Sequence, residues 1–308
     1  MKPAETPAPL RARLCAADNG FRRQRGTSFR AVYTTRPGRI LMTKFFAAVL
    51  AAVLAYPAAA QLLPPSEAGI TMGHVHLNVR DVEAHKKFWV EQIGAKPVTL
   101  GRIEGVTVPG LILLFRKQDP TGPVTGEVIN HMGLKVKKLS DLLARFQSAG
   151  FRTEKVRIGR ENTPQTYVIG PEEFRMELVE DPSLAFPVVS HHLHYFLDEP
   201  KAVKQWYVEK LLLKPTMRGP YESADVPGMN LTFAPSRSGP TVPTQGRALD
   251  HIGFEVKNLE AYCNRLEQHG VKLDSPYRKL PEIGLAVAFL TDPWGTRIEL
   301  TEGLNQAR

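Results

Sequence analysis

The strongest constraint on this chain is a seven-residue pattern that occurs four times and carries a histidine at the same place in each copy. The copies begin at residues 73, 130, 191 and 250 and read GHVHLNV, NHMGLKV, HHLHYFL and DHIGFEV. The shared histidines are His74, His131, His192 and His251. Each copy has the length and apolar content of a strand, so these histidines are predicted to lie at one equivalent point of four related units.

Each repeated strand is followed by similar local signals. In the first unit Asp81 is expected to cap a helix, an amphipathic segment follows, and Gly94 ends it. In the second unit a helix is predicted over residues 140–149. Strand-like runs then follow, for example over residues 111–115 and 174–178. Each unit therefore reads as a strand, a helix and about three further strands.

The units are themselves duplicated in pairs. Residues 73–110 align with residues 191–228 at a constant shift of 118. The fourth unit aligns with the second: His251 lies 120 residues after His131, and Glu299 lies 122 residues after Glu177. A chain with this internal duplication is predicted to hold two copies of a two-unit domain. The predicted boundaries are 61–180 for the first domain and 190–305 for the second.

The chemistry-bearing residues of the repeat form two similar sets. Residues two apart in a strand face the same side, so His74 and His76 point together. His192 and His194 do the same, and His191 points away. Combining a first-strand histidine from each unit with a glutamate from a final strand gives two imidazoles and one carboxylate in each domain. The predicted sets are His74, His131 and Glu177 in the first domain and His192, His251 and Glu299 in the second.

Such a set suits a divalent metal ion. Two histidines and one carboxylate with vacant coordination positions bind a transition metal and leave room for a substrate or for oxygen. Iron(II), manganese and zinc all accept mixed imidazole and carboxylate ligands. The alternative is that these six are ordinary half-buried strand residues. Two matching sets favour the metal.

Charge separates an N-terminal extension from the rest of the chain. The formal net charge is +9, yet residues 1–41 carry nine of the basic residues and only two acidic ones. From residue 61 onward the chain carries 30 basic and 29 acidic residues. This near-neutral body favours neither nucleic acid nor an anionic membrane as a partner.

Residues 42–60 have the three parts of a secretory signal peptide. They show a charged start, an apolar core over residues 45–55 and a small-residue cleavage site before Gln61. The core is too short to span a bilayer comfortably. We expect translation to start at Met42, with residues 1–41 as an upstream over-extension; a genuine arginine-rich targeting extension is the alternative. The mature protein is then secreted or periplasmic, with no stable membrane anchoring.

At the repeated histidines and the last strand, the chain resembles the vicinal oxygen chelate superfamily, which includes glyoxalases, bleomycin-resistance proteins, fosfomycin-resistance enzymes and extradiol dioxygenases. The resemblance covers about residues 72–304 and is most specific at residues 251–254 (HIGF) and 292–300 (DPWGTRIEL). It implies an α+β fold of four βαβββ modules, two in each open, barrel-like domain, with the metal inside the cavity. It also implies a small-molecule substrate.

The chain departs from the glyoxalases at one position that matters for chemistry. Glyoxalases of this superfamily carry a further glutamate ligand on the last strand of the partner module. Here that position is expected at Leu113 in one domain and Leu231 in the other. Glyoxalase activity is therefore not expected. Extradiol dioxygenases and fosfomycin-resistance enzymes use two histidines and one glutamate, which matches the predicted sets.

Proton transfer would then come from other residues near the metal. His76 and His194 are the predicted catalytic residues, since a neutral imidazole beside a metal can move a proton near pH 7. Their alternative role is to orient the ligands or to pack. Further candidates are two acids that could act as bases, Glu104 and Glu222, and four residues that could line the cavity, Tyr221, Tyr277, Arg218 and Arg278.

Two functions of different class are consistent with these features. The first is a secreted metal-dependent enzyme, a dioxygenase, lyase or isomerase, acting on a small molecule whose adjacent oxygens chelate the ion. The second is a bleomycin-resistance-type protein that sequesters a small molecule without transforming it. The metal sets favour the enzyme, since sequestration needs no open metal position. Between the sets, the glycine-containing turn over residues 292–295 favours Glu299, because that turn fixes the strand that follows it.

The signal segment predicts the N-terminus of the exported protein. Cleavage after the small residues should give a mature chain that begins at Gln61. N-terminal sequencing or mass spectrometry of exported protein would check this. Peptides that contain Arg22 or Arg36 in the exported material would contradict it.

Overall fold

The computed structural model of the chain describes residues 62–236 and 239–306. The N-terminal extension, the signal segment and its cleavage point at Gln61 lie outside the described residues, so they stay predictions. Within the described ranges, no helix has the length and apolar character needed to cross a membrane.

The described residues form four modules, each with one helix after its first strand. Module 1 contains β1 (Ile70–Val79), α1 (Val82–Lys86), β2 (Lys96–Leu100), β3 (Ile103–Val108) and β4 (Leu111–Lys117). Module 2 contains β5 (Ile129–Val136), α2 (Leu139–Ser148), β6 (Arg152–Thr153), β7 (Arg157–Ile158), β8 (Pro164–Ile169) and β9 (Arg175–Glu180). Module 3 contains β10 (Val188–Leu197), α3 (Pro200–Lys210), β11 (Lys214–Arg218), β12 (Tyr221–Val226) and β13 (Met229–Pro235). Module 4 contains β14 (Leu249–Val256), α4 (Leu259–Gln268), β15 (Ser275–Leu280), β16 (Leu285–Thr291) and β17 (Arg297–Glu302). The predicted α+β class is confirmed.

Module 1 shows how local sequence sets these elements. The Asp81 carboxylate accepts hydrogen bonds from the backbone N–H groups of Glu83 and Ala84, which caps α1 as predicted. The helix continues as a π-helical segment over Lys87–Ile93 and ends at Gly94, whose φ of 83° suits glycine. β1 is buried along its whole length because it lies in the centre of its sheet.

The modules pair in a crossed order. The first sheet has the strand order β15-β16-β17-β14-β1-β4-β3-β2. It therefore contains the strands of modules 1 and 4. The second sheet has the order β11-β12-β13-β10-β5-β9-β8-β6 and joins modules 2 and 3. The prediction that residues 61–180 form one domain and residues 190–305 another is therefore wrong in its pairing of modules. Each half of the chain contributes one module to each sheet.

The connections between modules account for the crossed order. Modules 2 and 3 are joined by the short segment 181–187, which keeps β9 and β10 in one sheet. The connection from module 1 to module 2 runs over residues 118–128, and residues 239–248 lead into module 4; these longer segments cross between the sheets. They lie side by side, and the backbone N–H of Val128 donates to the carbonyl of Val242 at 3.0 Å.

Two equivalent turns hold the sheets together. The β3–β4 turn contains Gly110 with a φ of 88°, and the β12–β13 turn contains Gly228 with a φ of 90°. A Cβ on Gly228 would lie 2.7 Å from the carbonyl oxygen of Gly110, so the close approach requires glycine. The Ser190 hydroxyl of β10 donates to the carbonyl of Pro109 in the β3–β4 turn at 3.0 Å, and the Thr71 hydroxyl of β1 donates to the carbonyl of Pro227 at 3.0 Å.

The apolar side chains divide between a main core and a smaller cluster on the opposite face of the first sheet. The main core joins the helices to both sheets and includes Trp89 and Cys263, and Trp206 packs against it. Along β4, Leu113 belongs to the main core and Leu114 to the smaller cluster. The face opposite the helices is called the inner face below. The smaller cluster contains Leu62, Leu100, Ile112, Leu114, Leu285, Val287 and Leu304.

The crossed pairing predicts that neither half of the chain folds alone as a monomeric domain. Fragments 61–183 and 184–308 would each contain one module of each sheet. In each module, the first strand would expose the edge that pairs with the other fragment in the intact protein. We expect each fragment to aggregate or self-associate when expressed singly, and the coexpressed fragments to copurify in equal amounts. Size-exclusion chromatography with light scattering measures this. A monomeric, cooperatively unfolding fragment 61–183 would contradict the crossed pairing.

Candidate functional site

The inner face of the first sheet carries the first site, which consists of His74, His76, His251 and Glu299. Nε2 of His74 and Nε2 of His251 each lie 3.0 Å from the same carboxylate oxygen, Oε2 of Glu299. The two rings are nearly perpendicular, with their centroids 5.5 Å apart. One ligand atom from each of the four residues lies within 4.8 Å of the others. The sheet thus brings three imidazoles and one carboxylate to one point.

The second site lies on the inner face of the second sheet and consists of His131, His192, His194 and Glu177. One nitrogen from each histidine lies within 4.8 Å of the others. Oε2 of Glu177 lies 3.2 Å from Nε2 of His192 and 3.6 Å from Nε2 of His131. The carboxylate is therefore less closely joined to its histidines than in the first site.

The predicted ligand sets are wrong in one histidine each, because His74 and His192 exchange places. The set with Glu299 contains His74 in place of His192, and the set with Glu177 contains His192 in place of His74. The reason is strand pairing: β1 pairs with β14, and β10 pairs with β5. His74 lies opposite Gly253, and Gly253 lies level with Glu299. All six residues lie at the sites, and their role as metal ligands stays a prediction.

A glycine opposite each exchanged histidine makes room for its ring. A Cβ on Gly253 would lie 2.0 Å from Cε1 of His74. A Cβ on Gly133 would lie 2.0 Å from Cε1 of His192. Any larger side chain at these glycines would displace the imidazole from its site. The glycines of the His-x-Gly sequences in modules 2 and 4 therefore leave space for a histidine ring from the module that shares the same sheet.

A carboxylate supports one histidine of the first site. Nδ1 of His251 lies 2.6 Å from Oδ1 of Asp250. The same carboxylate accepts hydrogen bonds from Nη1 of Arg297 at 3.3 Å and from the backbone N–H of Gly246 at 2.8 Å. Such a contact fixes the tautomer and the orientation of the ring, so that Nε2 faces Glu299.

An amide occupies the equivalent position of the second site. Oδ1 of Asn130 lies 3.0 Å from Nδ1 of His131 and accepts a hydrogen bond from Nη1 of Arg175 at 3.2 Å. The geometry matches that of the first site, but the oxygen belongs to a neutral side chain. His131 therefore has the same orientation aid without the negative charge.

The pKa values of these two histidines reflect that difference. Burial opposes the charged imidazolium in both, but for His251 the hydrogen bonds with Asp250 and Glu299 outweigh burial and raise the pKa. For His131 burial outweighs the interaction with Glu177, and the pKa is lowered. The first site therefore presents the more basic imidazole, which is the better electron donor to a metal.

Both carboxylates stay ionised at neutral pH. Burial alone would raise the pKa of Glu299, but hydrogen bonds with His251 and His74 outweigh it and lower the pKa. Burial alone would also raise the pKa of Glu177, but the close approach of His131 and His192 outweighs it and lowers the pKa. Each site therefore contains one buried negative charge.

Other polar side chains surround Glu177. Nε2 of Gln165 donates to its Oε1 at 2.6 Å. Nη2 of Arg157 lies 3.5 Å from Oε1, and Nη2 of Arg218 lies 3.7 Å from Oε2. The carboxylate of the second site is thus already neutralised by guanidinium groups, which opposes a divalent cation at the same point.

His76 and His194, the predicted catalytic residues, lie inside the two sites. The ring centroid of His76 is 4.6 Å from that of His251, and that of His194 is 4.8 Å from that of His131. Burial, followed by the neighbouring histidines, lowers the pKa of His76 to about 2. Burial and His131 lower the pKa of His194 well below its ordinary value. Both imidazoles are neutral at pH 7, and their catalytic role stays a prediction.

The position at which glyoxalases carry their further glutamate ligand lies one residue from the position predicted from the sequence. By strand register, the positions equivalent to Glu299 are Leu114 in β4 and Thr232 in β13. The predicted positions, Leu113 and Leu231, are buried in the main core on the opposite face. Leucine and threonine supply no carboxylate, so the fourth ligand is also missing at the corrected positions.

Of the four residues predicted to line a cavity, two lie in the second site. The ring of Tyr221 is 5.4 Å from that of His194, and Arg218 approaches Glu177. The other two do not lie in a site: Tyr277 packs against the main core, and Arg278 is exposed.

The two predicted bases lie away from both sites. Glu104 forms an ion pair with Lys86 of α1, and Glu222 forms one with Lys204 of α3 at 2.9 Å. Both carboxylates therefore face the helices. The prediction that they act as bases is wrong, because successive strand residues face opposite sides and these two point outward.

Four polar residues of the sites were not predicted from the sequence: Asp250, Gln165, Arg157 and Arg175. Asp250 had a local signal, since an acid directly precedes the histidine of DHIGFEV. The contacts of the other three depend on how the second sheet curves and on the reach of long side chains. Local sequence carries no signal for these properties.

The donor sets fit a divalent transition metal, and the first site fits best. Imidazole nitrogen and carboxylate oxygen are ligands that suit iron(II), manganese and zinc. Nε2 of His76 is buried and has no hydrogen-bond partner among the described residues. A ligand in the first site would satisfy it. In the second site the guanidinium groups at Glu177 reduce the attraction for a cation.

The comparisons with known proteins agree with this architecture. Residues 190–300, which span modules 3 and 4, match the Glyoxalase/Bleomycin resistance protein/Dioxygenase superfamily. Modules 3 and 4 are therefore similar to members of this superfamily. Modules 1 and 2 have the same strand and helix order as modules 3 and 4. A comparison with curated proteins gives no match.

Solved structures of the superfamily share the fold. Glyoxalase I from Zea mays is 15% identical, has a TM-score of 0.63, and covers 77% of this chain and 93% of its own. A candidate dioxygenase from Bacillus subtilis is 14% identical, has a TM-score of 0.57, and covers 75% of this chain and 84% of its own. At these identities the similarity establishes the fold alone. The expected vicinal oxygen chelate architecture is confirmed.

The carboxylate of Asp250 is predicted to strengthen metal binding in the first site. Asp250→Asn gives that site the amide that the second site has at Asn130 and keeps an acceptor for Nδ1 of His251. We expect the metal affinity of the first site to fall about 10- to 100-fold. The reverse change, Asn130→Asp, should strengthen the second site. Titration with zinc or manganese against a chromophoric chelator measures both, and an unchanged affinity in Asp250→Asn would contradict this role.

Proposed function

We propose that this protein is a divalent-metal-dependent enzyme that acts on a small molecule with two adjacent oxygens, and that the first site is its reaction centre. The observation that carries the proposal is the convergence of His74 Nε2 and His251 Nε2 on one oxygen of Glu299, each at 3.0 Å. A carboxylate behind His251 supports that geometry. Two histidines and one carboxylate leave coordination positions for substrate.

The residues that would hold the ion are His74, His251 and Glu299. When bound, a divalent ion supplies Lewis-acid activation of a substrate oxygen and lowers its pKa. Asp250 holds the Nδ1 proton of His251, which leaves Nε2 free as a ligand atom. Gly253 provides the space for the ring of His74.

His76 is the proposed proton-transfer residue. Its low pKa keeps the imidazole neutral, and its buried Nε2 lacks a hydrogen-bond partner within the described ranges. Nε2 can therefore accept a hydrogen bond from a substrate hydroxyl that binds beside the ligands, and this contact is the proposed path for the proton. His76 lies beside the metal ligands because it is two residues from His74 in the same strand, and residues two apart face the same side.

The walls of the first site indicate an apolar substrate body. Leu100, Ile112, Leu114 and Val287 lie on the same inner face as the ligands. Apolar walls exclude water and strengthen the electrostatic interactions inside the site. Leu114 also stands where glyoxalases carry their further carboxylate ligand, which favours a dioxygenase, lyase or isomerase reaction over the glyoxalase reaction.

Export is part of the proposal. Residues 42–60 have the charged start, apolar core and cleavage site of a signal peptide, which supports a secreted or periplasmic protein. The near-neutral body agrees with a small molecule as partner and with no role in nucleic-acid binding.

A binding protein without catalysis is the second candidate. The observation that favours it is the neutralisation of Glu177 by Gln165, Arg157 and Arg218. A site of that kind can hold a ligand by hydrogen bonds and charge without a metal. It remains secondary because the first site lacks such neutralisation at the described positions around Glu299.

Metal content tests the enzyme proposal. Wild-type protein reconstituted anaerobically with iron(II), manganese or zinc should bind tightly at the first site. Glu299→Ala should remove about one equivalent, whereas Glu177→Ala should leave the tight equivalent bound. Elemental analysis after desalting measures this. Wild-type protein that binds no metal would favour the binding-protein function.

Turnover of catechols and other vicinal-oxygen compounds tests the residue roles. Loss of a ligand in Glu299→Ala should abolish turnover, and His76→Ala should lower kcat about 100-fold with the metal still bound. The matched control in the second site, Glu177→Ala, should keep turnover. Activity that survives Glu299→Ala and disappears in Glu177→Ala would place the reaction in the second site.

A further inference from the structure

The inner faces of the two sheets have the same backbone plan and different side chains. Four equivalent positions are apolar in the first sheet and polar in the second. The pairs are Leu100 and Arg218, Ile103 and Tyr221, Leu114 and Thr232, and Val287 and Gln165. The second site is therefore built for a different class of ligand from the first.

Two arginines distinguish the second site most clearly. Nη2 of Arg218 lies 3.7 Å and Nη2 of Arg157 lies 3.5 Å from opposite oxygens of Glu177. Arg218 is mostly buried, whereas Arg157 is half exposed at the edge of the sheet. A guanidinium has five N–H donors in a planar fork that fits a carboxylate or a phosphate.

Nearby acids hold these arginines in place without using all their donors. Nε of Arg218 donates to Oε1 of Glu161 at 2.8 Å. Nη1 of Arg157 lies 3.8 Å from Oε2 of Glu154. Together with the contacts to Glu177, these contacts occupy part of each guanidinium, and its other N–H groups stay available to a ligand. The arginines are thus positioned before a ligand arrives.

The same site contains buried polar atoms that lack partners. Both ring nitrogens of His194 and the hydroxyl of Ser223 are buried and have no hydrogen-bond partner among the residues described. His194 is 7% exposed and Ser223 is fully buried. His194, Thr232 and Ser223 lie in one row across the sheet, because each pairs with the next. Buried polar groups without partners are costly, and a polar ligand in the site would satisfy them.

We infer that the second site binds the carboxylate or phosphate group of a small organic anion through Arg218 and Arg157. The adjoining polar row of His194 and Ser223 takes further polar atoms of the same ligand. This inference goes beyond the proposed reaction at the first site and does not depend on a metal there. The protein then binds two different ligands on two copies of one fold.

Binding of inorganic phosphate and of acetate to metal-free protein tests the inference. Arg218→Leu gives the second site the residue that the first site has at Leu100, and Arg157→Leu removes the other guanidinium. Isothermal titration calorimetry at low chloride should show that each change weakens binding about tenfold or more. The control is Arg278→Leu, which removes an exposed arginine from the first sheet and should leave the affinity unchanged. Preference for phosphate over acetate, or the reverse, identifies the anion class.

Several outcomes would overturn the inference. They are no binding of either anion by wild-type protein, equal binding by wild-type, Arg218→Leu and Arg157→Leu, or an equal loss in Arg278→Leu. Circular dichroism checks that each variant folds, and if Arg218→Leu does not fold, Arg157→Leu decides. Glu299→Ala should bind both anions like wild-type protein. If the protein binds these anions but takes up no metal, the proposed function is contradicted and this inference is not.

Discussion

The antiparallel pairing of β1 with β14, and of β10 with β5, is the interaction on which both sites depend. It places a histidine of one module directly over a glycine of another, so that His74 occupies the space left by Gly253. The parallel pairing of β14 with β17 then brings Glu299 level with the same glycine. A shift of one residue in either ladder would turn every one of these side chains to the opposite face. The geometry of the ligand set is therefore a consequence of strand register.

The two sheets have one strand plan and two kinds of inner face. Asp250 and Asn130 stand at equivalent positions, and the charge of the first raises the pKa of the histidine that follows it. The first site combines that charge with apolar walls, which is an environment suited to a metal and an apolar substrate body. The second site has guanidinium groups at Glu177, which is an environment suited to an anion. The backbone sets where the two sites lie, and a few side chains set the polarity and charge of each site.

Much of the fold and of the site was predictable from local patterns. The strand, helix and strand order, the Asp81 cap and the end of the first helix at Gly94 all follow from short-range signals. All eight residues of the two sites were identified, because a histidine repeated at one place of four strands is visible without a structure. The assignment of residues to sites was not predictable in this way. It exchanged His74 and His192, because nothing in a strand's own sequence states which distant strand it pairs with.

The sequence by itself determined the elements and the histidines that share one face of a strand, because helix and strand periodicity are local properties. Tertiary structure decided that module 1 joins module 4, since that depends on the pairing of β1 with β14, which are far apart in sequence. It also decided that Leu114, and not Leu113, stands at the fourth-ligand position, since that depends on register. The contacts of Arg157 and Arg218 with Glu177 depend on sheet curvature and side-chain reach, and these exist only when distant segments have come together.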